Sequence, residues 1–166
     1  MGKVISLRTR KNIEAQGFLG LDDIQIAQLD GWLRFSPAIC MIWTAIGVAA
    51  ASPVIIASLV PFALLGGMLK GHPFDAAYNH VLRYIYGGPR IPAYGNPRRF
   101  GCLMASVVLS LTAASFALGL TPVGYGLGAM MVCMAGVNVF TGFCVPSHMY
   151  GKLFGAIKTT AEEPAV

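Results

Sequence analysis

Charge is what this sequence has least of. Only 11% of its 166 residues are Asp, Glu, Lys or Arg, against about 25% in ordinary soluble domains, while 55% are hydrophobic. The scarcity is concentrated. From Phe35 to Leu69 and again from Phe100 to Cys144 there is no Asp, Glu, Lys, Arg or His. Ion pathways and proton relays use ionisable groups at membrane depth, so this gap argues against an ion-coupled transporter or pump. Other absences narrow the chemistry further. The chain has no Gly-rich phosphate loop, nucleophile elbow, paired carboxylate site or zinc-ligand spacing, and its four cysteines form no Cys-x-x-Cys. No apolar core follows the early Lys3, Arg8, Arg10 and Lys11, so no cleavable signal peptide is expected.

What the chain does have is apolar length. Each of the two uncharged stretches is too long for one crossing of a bilayer core about 30 Å thick. Ser52-Pro53 and Thr121-Pro122 are the places to turn back. The expected fold is an all-α membrane protein with four transmembrane helices arranged as two helical hairpins. The spans are expected at about 35–51, 53–69, 100–120 and 123–144. Residues 1–34 read as a cytoplasmic or interfacial amino-terminal segment and 145–166 as a cytoplasmic tail. Asp22 with Gln25 three residues on predicts a capping box opening a short helix, with Ile26, Leu29 and Leu33 on one face.

The polar interval Lys70 to Arg99 reads as an amphipathic interfacial helix over 73–86 in the central cytoplasmic loop. Phe74, Tyr78, Val81, Leu82 and Ile85 make its apolar face and Asp75, Asn79 and Arg83 the polar one, with Pro73 in the first turn and Gly87-Gly88 at the end. Phe74, Tyr78, Leu82, Arg83, Arg98 and Arg99 are the expected anchors at the lipid headgroups. Lys and Arg number five up to Arg34, five in the central loop and two in the tail, and none in the tight turns. Four spans put all three charged segments on one side, which predicts a multi-pass protein of the bacterial inner membrane with both termini cytoplasmic. The net charge of +5 suits orientation and anionic lipid, and nucleic acid is not an expected partner.

An internal echo runs through the chain. Arg34-Phe35 opens the first hairpin and Arg99-Phe100 the second, and Ser52-Pro53 and Thr121-Pro122 turn them. Either a loose parallel duplication or convergence on the same hairpin requirements accounts for it. Between spans, small residues must supply close backbone contact, and the pairs Gly67 with Gly71 and Gly124 with Gly128 offer it.

The cysteines carry the most suggestive chemistry. Cys40, Cys102 and Cys144 are predicted at one depth near the cytoplasmic face, and Cys133 three turns deeper. Such a cluster could exchange disulfides, or the thiols could be small apolar core residues. His148, four residues after Cys144, could lower that thiol's pKa on a continuous helix, but Pro146 is expected to break it. No metal site is assigned and no cofactor is expected beyond bound lipid. Ligation of a tetrapyrrole or other pigment by His72, His80 or His148 stays open.

Arg34-Phe35, His72-Pro73, Pro97-Arg98-Arg99-Phe100 and the run from Asn138 through Thr141-Gly142-Phe143-Cys144 to Tyr150 resemble a bacterial integral-membrane family, domain of unknown function four-three-nine-five. The resemblance covers about Arg34 to Phe154. It implies a membrane architecture and brings no established activity. It also implies a second cysteine three residues after Cys144 in many relatives, where this chain has Ser147, leaving Cys144 without a resolving partner. The first functional expectation is a non-catalytic accessory subunit that packs against other integral-membrane subunits of a bioenergetic complex. The alternatives are a thiol-dependent membrane redox or sulfur-handling protein and a passive channel for a small neutral solute, with Ser58, Ser106, Ser110, Thr112 and Asn138 as its lining.

Overall fold

The computed structural model describes residues 5–155, which are helical with no strand. In chain order the helices are α1 (Leu7–Ala15), α2 (Asp23–Leu29), a 3-10 turn (Trp32–Arg34) running into α3 (Phe35–Ala49), α4 (Pro53–Met68), α5 (Pro73–Ala77), a π turn (Tyr78–Leu82) leading into α6 (Arg83–Tyr86), α7 (Asn96–Ala117), α8 (Thr121–Thr141) and α9 (Val145–Phe154). Prolines open five of them. Pro53, Pro73, Pro97, Pro122 and Pro146 stand in the first turns of α4, α5, α7, α8 and α9, where a missing N–H costs no helical bond.

Three segments, Trp32–Ala49, Asn96–Ala117 and Thr121–Thr141, are long and apolar enough to cross a membrane. Helix α4 passes the same test only together with 73–86, from which it is bent by 83°. Helices α3, α4, α7 and α8 close into a ring in which α3 packs on α4 and α8, and α7 packs on α4 and α8. Ile56, Leu59, Ala63, Leu109 and Ala113 form the core of this bundle. A second core lies at one end, where α1, α2 and the 87–95 loop close over the bundle through Ile13, Phe18, Ile26, Leu29, Leu33, Tyr78, Ile91 and Tyr94.

The expected capping box is present: Gln25 N–H donates to the Asp22 carboxylate and Asp22 N–H to the Gln25 side chain. Within the amino-terminal segment, α1 is a further helix with no strong apolar pattern to mark it. It holds because Ser6 caps it and Ile13 turns into the end core. Helix α7, expected from residue 100, begins earlier, at Asn96, because Pro97 starts the helix before the apolar run does. Helix α8 ends at Gly142, in the left-handed region at φ 70°, so Pro146 opens a new helix and does not break an old one. Residues 145–154 therefore leave the tail and pack as α9 on α7, while the remainder of the expected tail, with Lys158, Glu162 and Glu163, lies outside the described residues.

The echo in the sequence acquires a structural partner. Arg34 donates to the carbonyls of Val139 and Phe140 at the end of α8, at 3.0 and 3.2 Å. Arg99 donates to Gly67 and Met68 at the end of α4, at 3.0 and 2.9 Å. Each arginine thus opens the first helix of one hairpin and closes the last carbonyls of the other, which also sets a cation at the negative end of a helix dipole. Substituting α3, α4 and α5 for α7, α8 and α9 preserves the main packing, with α3 on α8 for α7 on α4, α3 on α4 for α7 on α8, and α3 on α5 for α7 on α9, although α4 also touches α5.

Of the glycines expected to pack helices, three do. A Cβ at Gly67 would lie 2.5 Å from Leu103 on α7, one at Gly124 would lie 2.8 Å from the Phe116 ring, and one at Gly128 would run into Val48 on α3. Gly71 does not, because α4 stops at Met68 and leaves it in open space. Val48 is β-branched and stiff, so it cannot swing away. Gly128→Ala should therefore destabilise the protein by about 1–3 kcal/mol. Gly126→Ala, with nothing within 4 Å, should be neutral or stabilise the helix by up to about 1 kcal/mol. Unfolding in mild detergent, followed by circular dichroism, checks the opposite signs.

Candidate thiol site between the hairpins

The two cores meet at a buried polar layer. Asp75, third residue of α5, accepts a hydrogen bond from Ser36 on α3 and lies 3.9 Å from Arg98 on α7. Arg98 donates at 3.0 Å to the Leu33 carbonyl, and its guanidinium sits over the rings of Phe18 and Tyr94 at 5.1 and 5.2 Å. Both members of the pair are almost wholly enclosed, with side-chain exposures of 7% and 4%. Nη1 of Arg98 and Oδ2 of Asp75 have no hydrogen-bond partner within the protein.

This layer changes the reading of helix 73–86. Asp75, expected on the polar outer face, points inward because Arg98 and Ser36 await it there. Asn79 turns inward with it and clamps both backbone groups of Ile91, at 2.9 and 2.8 Å. Of the expected apolar face, Phe74, Tyr78 and Leu82 pack into the protein, while Val81 and Ile85, either side of the end of the π turn, stay exposed. Among the expected headgroup anchors, Arg98 is interior, Tyr78 is fully buried and Phe74 stacks on Phe62 at 5.0 Å, while Leu82 packs on the end core. Arg83 lies over the Tyr84 ring at 5.0 Å, and Arg99 caps α4.

His72 caps α5, its Nδ1 accepting the Phe74 N–H at 3.3 Å. A neutral imidazole that accepts at Nδ1 carries its hydrogen on Nε2. Burial pushes the His72 pKa down to about 4, with the Asp75 carboxylate opposing and the Arg98 guanidinium assisting that fall. Its Nε2 lies 4.0 Å from Cys40 Sγ. On the other side Gly66 lets ring and thiol approach: a Cβ there would be 2.6 Å from His72 Cδ2 and 3.2 Å from Cys102 Sγ. Tyr94 donates to the Gly66 carbonyl at 2.8 Å, and burial raises its phenol pKa.

Beside this layer lies a cavity of about 320 Å³. Cys40, Cys102 and Cys144, drawn from α3, α7 and the cap of α9, all line it, together with His72, Arg98, Ser36 and Asn138. Methionines 104, 130, 131, 134 and 149 supply much of its apolar wall. Cys133 is exposed on the outside of α8. The structure does not bring His148 to the Cys144 thiol. Its Nδ1 is 3.0 Å from the Cys144 carbonyl and its ring stacks on Phe143, because Cys144 is the cap of α9 and its side chain turns the other way. The hydroxyl of Ser147 donates to Cys144 Sγ at 3.1 Å. All four cysteines are free thiols, and no group of three or more His, Cys, Asp or Glu side chains converges as a metal site among the described residues. His80 bonds the Ala76 carbonyl at the surface.

His72, Asp75, Arg98, Ser36 and Tyr94 belong to this site without having been assigned to it from sequence. The available signal was a carboxylate and an arginine of opposite charge flanking the same loop, but both also fitted a solvated face.

Fold and site together define a helical protein with two similar three-helix units and a thiol-lined cavity between them. The chain belongs to the family described as Domain of unknown function (DUF4395), whose model matches residues 31–154. No curated protein and no solved structure matches it.

The imidazole makes stability depend on pH. Below about pH 6.5 the unfolded chain takes a proton on His72 that the folded protein refuses until about pH 4. Its contribution is therefore complete above the unfolded value and is lost as pH falls through that window. A melting-temperature series in detergent from about pH 7 to about pH 4.5 should slope downward with acid. His72→Asn, which keeps a capping side chain, should flatten the slope.

Proposed function

We propose that this chain is a four-span protein of the bacterial inner membrane whose cysteines act on a small redox-active or sulfur-bearing molecule held between its two hairpins. One observation carries the reading. Three thiols from separate helices converge on one cavity, while the fourth faces outward. A cysteine used only as a small apolar residue has no reason to gather with others beside a buried arginine and histidine.

The membrane assignment is supported by the apolar helices and by the large hydrophobic side chains they expose, among them Ile42, Ile46, Val54, Val107, Leu111 and Phe140. With four spans, both termini and the 70–99 interval share the cytoplasmic side, and Lys and Arg are confined to those segments. The 83° bend and the exposed Tyr84, Ile85 and Tyr86 suit a helix lying along the headgroups. Reporter fusions at both ends should give the same cytoplasmic signal, and opposite signals would overturn the four-span arrangement.

A second reading, an accessory subunit packed against other membrane proteins, is favoured by α8, which buries only Gly124 and Gly128 among its own residues. Thiol labelling separates the two. In purified protein, a membrane-permeant maleimide should modify at least one of Cys40, Cys102 and Cys144, and cavity-filling at Ala135 should slow that reaction without slowing Cys133. Unreactive cavity thiols in a folded protein, read by intact mass against single Cys→Ser variants, would remove the thiol reading and leave the accessory role.

A further inference from the structure

We infer that the cavity is a binding site for a neutral apolar molecule carrying ring carbonyls, the chemistry of membrane quinones. The inference rests on the cavity being the working site, but it does not require the thiols to react.

The argument begins with what the polar end of the cavity can offer. Arg98 lines it and is about nineteen-twentieths buried by residue, at 6% exposure, with Nη1 unpartnered. Guanidinium groups only donate. His72 lines it too, and its capping bond at Nδ1 leaves Nε2–H as a donor next to Cys40. The low pKa of about 4 keeps that ring uncharged at neutral pH. Ser36 has its hydrogen committed to Asp75, and Asp75 itself is not in the lining. Asn138 adds an amide that both donates and accepts, so donors outnumber acceptors among the polar side chains around the cavity, which favours a ligand that accepts.

Charge then chooses among acceptors. An isolated Arg98 would favour an anion, but Asp75 at 3.9 Å offsets its charge and His72 adds none. A carboxylate or sulfonate would enter as an uncompensated charge in an apolar surround, which costs several kcal/mol. A neutral carbonyl oxygen gains the donors without that penalty. The rest of the wall agrees. Leu109, Val108, Ala105 and the methionines of α8 offer a pliable apolar surface suited to a flat ring, since thioether side chains adapt to irregular shapes. The volume of about 320 Å³ is at the small end for ligand sites and suits a substituted ring, with any tail leaving toward lipid.

The test uses full-length protein in mild detergent, with decylubiquinone as probe and quenching of tryptophan fluorescence as readout. Trp43 reports from beside the site, its ring 6.3 Å from that of Phe74, which itself lies against His72. Saturable quenching is expected. His72→Phe, which removes a donor and keeps an aromatic ring, should weaken binding about tenfold. Because that change also removes a helix cap, Ala135→Phe, which fills the cavity from the sparsely buried α8 and adds no second reporter there, provides the independent variant and should abolish binding while the melting temperature holds. Three results would overturn the inference: a folded Ala135→Phe protein that binds decylubiquinone like wild type, equal competition by decylbenzene, or tighter binding of decanoate. Retained binding with inert thiols would end the proposed thiol chemistry and leave the ligand class standing, whereas reactive thiols without binding would do the reverse.

Discussion

The buried pairing of Arg98 with Asp75 is the constraint on which the remaining arrangement depends. Two formal charges removed from water cost several kcal/mol unless they face each other and find further hydrogen bonds. Meeting that condition fixes several elements at once. Asp75 draws the start of α5 inward and holds the first turn of α3 through Ser36. Arg98 draws the start of α7 to the Leu33 carbonyl and provides the platform on which Phe18 and Tyr94 close the end core. The 83° bend after α4 follows from the same requirement, since a straight continuation would carry Asp75 away from its partner.

Lipid as solvent accounts for what the rest of the molecule leaves undone. Lipid tails give no apolar driving force between helices, so contact relies on small residues that let backbones approach. Gly47 against Ile56, Gly67 against Leu103 and Gly128 against Val48 mark those approaches. Helix α8 is thinly buried partly because its methionines border the cavity. The site is therefore a gap in helix packing, not a pocket carved into a continuous core.

Much of the architecture was legible in the sequence because it rests on local signals. Proline after a small polar residue favours a helix start, which is why Ser52-Pro53 and Thr121-Pro122 located both turns, whereas Pro61 in an apolar run sits inside α4. Asp22 and Gln25 specified their capping box by spacing alone. The gathering of Cys40, Cys102 and Cys144 followed from counting spans, and the structure brings those three side chains to one cavity. What was illegible depends on long-range pairing. Asp75 reads as a surface residue at every local level, and only Arg98, twenty-three residues away, makes its burial tolerable. His72 caps α5 through one ring nitrogen, and its second nitrogen acquires meaning only from Cys40 on another helix. The π turn at Tyr78–Leu82 has no signature in the residue pattern, so nothing local separates the inward Tyr78 from the exposed Val81.

The reciprocal placement of Arg34 and Arg99 means that neither half is complete by itself. Either half taken alone, hairpin and trailing helix together, would present a guanidinium with no carbonyls to receive it and a helix terminus with nothing to close it. The exchange therefore couples the two hairpins, so that loosening one uncaps the other.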